Sequence, residues 1–263
     1  MTETIDRAVL LHRSRQAILL WVIFLVLAVA LNGTIPFLMG VDLHAWTGSS
    51  FKAILLAFVV YAVLFLAVPL VLIKGWKTIR QPGFLYPLCL GMAALSLWQF
   101  LPGAAVLAIL VLAYLHRRFN LSEYGIRSCG WKGDLLAMLF IGLLGFFPIL
   151  LRPLPHALAW GAALQAMLSR LFTNPASTVE NLFYYGFLTE RLSYRTGKWL
   201  TPPLIGLMYT AHEMSNPEYW YRGMNFILIL VGVTIWAFIY LWRRGVIAIW
   251  LGDGLYRFAG KLF

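Results

Sequence analysis

Glu180, His212, Asp253 and Arg257 are ionisable residues set in strongly apolar stretches of this chain. Placing such a group in a hydrocarbon environment costs at least about 2.5–3.5 kcal/mol for a central Asp or Arg, so these groups pair, and they commonly mark function. Glu180 with His212 is the pair that points to chemistry. A carboxylate held beside an imidazole can take a proton from water and act as a general base. The alternative is a structural ion pair that fixes helix packing. Asp253 and Arg257 are spaced i, i+4 on one predicted helix face, where they can neutralise each other. The aromatic residues Phe183, Tyr184, Tyr185, Trp220, Tyr221 and Trp250 read as core or as an interfacial belt. No His-Glu-x-x-His run occurs, and His212 is the single convincing buried ligand, so neither a metal nor a cofactor is expected.

The elements that must position these residues are apolar helices. Hydrophobic residues make up 61% of the 263 residues and charged residues only 12%. Soluble domains are closer to half apolar and a quarter charged. A bilayer core takes about 20 apolar residues per helix. Apolar runs are predicted at 16–39, 51–73, 135–151 and 224–242, with shorter helices at 177–192, 200–213 and 246–260. The stretch 83–116 is too long for one helix, and Leu101-Pro102-Gly103 divides it into two short spans. The segment 156–172 carries Gln165 and Arg170 and reads as re-entrant or interfacial. The fold class is therefore all-α, a polytopic transmembrane bundle of about eight helices. Residues 1–118 form N-terminal spans and 119–263 a core, in one integrated membrane domain.

The formal net charge is +11. The basic residues sit in short clusters between apolar runs, at 74–81, 116–134 and 191–198 and at Arg243-Arg244. That is the pattern of cytoplasmic loops under the positive-inside rule, with attraction to anionic headgroups. No basic polar surface is left for nucleic acid. Cys89 lies in an apolar run and Cys129 in a basic loop, so neither suggests a disulfide. The N-terminus reads as a retained helix without a cleavage site. With 191–198 and Arg243-Arg244 inside, Glu180 near the start of its helix and His212 near the end of the next come to similar depth, toward the outer face. Asp253 falls midway along the last helix and can join them. The count of crossings closes if 156–172 does not span.

Val179-Glu180-Asn181-Leu182-Phe183-Tyr184-Tyr185-Gly186-Phe187-Leu188 resembles the first motif, Glu-Glu-x-x-x-Arg-Gly-x-Leu, of the CPBP family. That family comprises CAAX-protease and bacteriocin-processing intramembrane proteases. Met208-Tyr209-Thr210-Ala211-His212 resembles its second motif, Phe-x-x-x-His. Leu121-Ser122-Glu123-Tyr124-Gly125-Ile126-Arg127 is similar to the family's lead-in segment. Leu251-Gly252-Asp253-Gly254-Leu255-Tyr256-Arg257 falls where the third motif, His-x-x-x-Asn, belongs. The resemblance covers the chain from near Leu121 onward. It implies a metal-independent glutamic endopeptidase in which Glu180 and His212 activate water. Asn181 stands for the second Glu, Tyr185 for the Arg, Asp253 for the third-motif His and Arg257 for its Asn. The oxyanion role then passes to Arg257, Asn181 or a tyrosine hydroxyll such as that of Tyr184 or Tyr185, since an ionised Asp253 donates no hydrogen bond.

The function expected is an intramembrane glutamic endopeptidase of a bacterial inner membrane, with the lipid bilayer and a membrane-anchored protein or peptide as partners. A C-terminal sorting segment or an exported peptide fits an outward-facing site better than a cytoplasmic CAAX tail. One rival is an inactive protein of the same fold acting in binding, immunity or scaffolding. A second rival is a transporter with Glu180 as its proton site, which lacks any visible inverted repeat.

Overall fold

The computed structural model describes residues 7–34, 38, 50–127, 130–146, 159–216 and 225–262. Among them there are helices and connecting turns and no strand. In order these are α1 (Arg7–Val29), α2 (Ser50–Lys74), α3 (Trp76–Ile79), α4 (Pro82–Leu97), α5 (Pro102–Phe119), α6 (Trp131–Leu144), α7 (Trp160–Leu168), α8 (Pro175–Asn181), α9 (Glu190–Met214), α10 (Phe226–Arg243) and α11 (Ile247–Leu262). Three helices are long and apolar enough to cross a membrane: Arg7–Asn32, Ser50–Lys74 and Phe226–Arg243. Their outward faces carry large exposed apolar side chains, among them Val26, Phe58 and Ile227.

The break predicted at Pro102 is present. Leu101 is extended, and Pro102 starts α5 at a position where a missing N–H costs nothing. Arg191–198 is not the loop expected from its charge. Helix continues unbroken from α8 through a π-helical stretch, Leu182–Thr189, into α9, and the chain turns only at Gly197. Gly197 takes φ 74°, in the left-handed region that favours glycine, which a count of basic residues does not register. The result is a helical hairpin that folds His212 back toward Glu180. The described part of the segment expected to be re-entrant or interfacial forms α7 and a π turn, Ser169–Thr173, which together rise only about 21 Å, short of a bilayer core. Residues 147–151 and 156–158, parts of two predicted segments, lie outside the described residues, as do Asp42, His44 and Cys129.

The lead-in segment threads between helices. The Tyr124 hydroxyl donates to the Phe65 carbonyl deep in α2. Gly186 lies so close to the Tyr124 carbonyl that a Cβ has no room, which gives the motif glycine a packing reason. The Val246 amide donates to the Gly125 carbonyl at 2.9 Å, joining this crossing to the start of α11. Buried Phe65, Phe84, Tyr124, Phe183, Phe187 and Tyr240 fill the surrounding core.

Candidate functional site

Glu180 is the next-to-last residue of α8, in the second turn of the continuous helical run that starts at Pro175. Asn174 caps this helix by accepting from the Ser177 amide at 3.1 Å, and Pro175 occupies its first turn. His212 lies in the last turn of α9. The hairpin brings Glu180 Oε1 and His212 Nδ1 to 3.6 Å, an ion-pair distance that is longer than a direct hydrogen bond. The imidazole is held between rings. Tyr184 stacks parallel to it at 6.0 Å, and Phe24 and Phe65 approach edge-on at 4.7 and 6.3 Å. These contacts fix the ring plane and leave Nδ1 without a hydrogen-bond partner.

Both residues line a cavity of about 260 Å³. Its wall is mixed. Phe24, Val60 and Tyr61 are contributed by α1 and α2, while Asn32, Ser177, Tyr209, Glu213, Asn216 and Arg257 add polar atoms. Ser177 is 2% exposed and Asn32 4%, and Ser177 Oγ and Asn32 Oδ1 are buried with no hydrogen-bond partner. Buried polar atoms left unpaired around one space call for a partner there, whether water, ion or ligand. Parts of the wall are π-helical: Val60 and Tyr61 sit in Ala57–Ala67 and Arg170 in Ser169–Thr173, where the wider turn re-aims side chains.

Asp253 is fully buried, but its partner is Arg170 of the π turn and not Arg257, which corrects the i, i+4 pairing expected on α11. Arg257 instead lines the cavity and makes no ion pair among the described residues. Asn181, Tyr184, Tyr185 and Asp253 are off the cavity wall. Tyr184 supports His212 from behind, and Tyr185 packs against Trp236 at 6.2 Å. Asn181 is 3% exposed, with its Nδ2 unpaired.

Sequence reasoning missed Glu213, Tyr209 and the N-terminal wall. Glu213 has a signal of its own, a second acid directly after His212 near an apolar helix end. The placement of Phe24 and Asn32 against a motif more than 140 positions away carries none. Glu180, His212 and Glu213 each offer one ligand atom, all within 4.8 Å of one another, a spacing that can collect a divalent cation. That overturns the reason for expecting no metal, namely that His212 stood alone.

Compared with protein-family models, with curated proteins and with solved structures, the chain finds no match in any of the three.

Proposed function

We propose that the chain is an intramembrane glutamic-type endopeptidase, divergent from the CPBP family, that cleaves a membrane-anchored protein or peptide. The single observation that supports this is the meeting of Glu180 and His212 at 3.6 Å on the wall of one polar-lined cavity. In this reading a water in the cavity is hydrogen-bonded to both side chains. Glu180 takes its proton as hydroxide adds to the scissile carbonyl, and His212, its ring locked by aromatic neighbours, orients that water. Arg257 faces the same space and donates to the oxyanion that forms. The chain is multi-pass in a bacterial inner membrane, with the basic segment 191–198 on the cytoplasmic side and the cavity nearer the outer face.

A catalytically inactive protein of the same fold is the second reading. It is favoured by Asp253, which takes the third-motif position but is engaged by Arg170 and lies off the cavity wall. One experiment decides between them. Membrane proteins from cells carrying the wild-type chain are compared with those carrying Glu180→Gln, by mass spectrometry of newly formed termini. A set of termini present only with wild type is expected. Identical termini in both strains would remove the protease reading and leave the inactive fold.

A further inference from the structure

Glu213 lines the same cavity as Glu180, and the two carboxylates lie within 4.8 Å of each other and of the His212 imidazole. Tyr209, one helical turn before Glu213, lines the same wall. A phenol therefore shares the space of the two acids. Two carboxylates this close in a largely buried space hold one proton between them, and environments that differ assign one the role of base and the other of acid. Their environments do differ. Both lie within electrostatic reach of Arg170, but Glu213 alone is also in reach of Arg257 at the cavity wall, and Glu180 alone in reach of Asp253.

We propose that Glu213 is a second catalytic residue, the proton donor to the leaving amine, coupled to Glu180 through the Tyr209 hydroxyl. The proposal rests on the endopeptidase reading above. Water adds its oxygen to the scissile carbonyl carbon and gives one proton to Glu180, forming a tetrahedral intermediate. As the C–N bond breaks, Glu213 passes its proton to the amine nitrogen, so the products are a carboxylic acid and an amine. Tyr209 then takes the proton from Glu180 and gives its own to Glu213, which restores the starting state. No oxidant or reductant enters. A divalent cation on the same three groups is the competing use of this geometry, and the two guanidinium groups beside it oppose a dication.

The test uses the full-length chain in detergent or liposomes and a synthetic peptide spanning the cleavage site found by the terminus comparison. A second peptide carries a thioester in place of the scissile amide. A thiolate leaves without a donated proton, whereas an amine does not. Glu213→Gln is expected to lose about a hundred-fold or more on the amide and to stay within about five-fold of wild type on the thioester. Glu213→Asp, which keeps a proton to give, recovers part of the amide rate and guards against a variant that fails to fold. Equal loss on both substrates, or full retention of both, overturns the role of Glu213. Loss of activity on chelation, restored by added zinc, also overturns it and makes the cluster a metal centre. Glu180→Gln separates the two levels of the argument, because retention of amide cleavage there removes the endopeptidase reading itself.

Discussion

Glu180 and Glu190 lie on one continuous helical run, about 15 Å apart along its axis, and are treated in opposite ways. At the Glu190 end both carboxylate oxygens are occupied. Oε2 accepts from Arg127 at 3.1 Å, Arg244 at 3.1 Å and Tyr240 at 3.0 Å, and Oε1 from Tyr194 at 3.1 Å. Arg127 also donates to the Arg244 carbonyl, and Arg243 reaches Asp134 at 3.0 Å, so this end ties α6, α9 and α10 together. At the Glu180 end, the nearest imidazole stops at 3.6 Å, and Ser177, Asn32 and His212 leave buried polar atoms unpaired. A saturated carboxylate stabilises a fold, while an unsaturated buried one costs stability. Residue type does not separate the two glutamates. Their partners do.

Exchanging the properties of the two ends breaks this comparison if it is wrong. Glu180→Gln removes the proposed base and should lower the proposed peptide cleavage about a hundred- to ten-thousand-fold, with no fall in melting temperature. A fall in melting temperature with turnover preserved would make Glu180 the structural acid. Arg257→Ala should lower turnover about ten- to a hundred-fold with little change in stability, and Arg257→Lys should recover part of it, as a donor to the oxyanion requires. Full turnover in both variants would leave Arg257 as a surface charge at the cavity. Glu190→Gln should show the reverse pattern, a loss of about 2 kcal/mol in thermal or denaturant unfolding and unchanged turnover per folded molecule.

The smallest effect expected is a matter of sidedness. With Cys89 and Cys129 replaced, an Arg195→Cys reporter on the exposed side of the basic turn should resist a membrane-impermeant maleimide in intact cells and react after permeabilisation. Ready labelling in intact cells would place the Glu190 end outside and the cavity toward the cytoplasm, reviving a CAAX-like substrate.

Composition and apolar run lengths determined the all-α class, because unbroken apolar runs of about 20 residues suit helices, whereas the strands of a closed barrel are about half as long and alternate in polarity. Pro102 marked one helix break by its missing N–H, and Glu180 and His212 were legible because a charge in an apolar helix stands out at the level of single residues. The reach of a helix through Arg191 to Gly197 was not legible, since a basic run reads as a loop whether or not its backbone stays hydrogen-bonded. The partner of Asp253 depended on where a π turn aims Arg170, and sequence spacing along α11 offered Arg257 instead. Glu213 and Tyr209 joined the site only when the hairpin at Gly197 closed, and Phe24, Asn32 and Tyr61 only when α1 and α2 packed across it. Patterns along a chain fix which residues avoid water. Which of them meet is set by contacts between helices distant in sequence, and those exist only in the packed bundle.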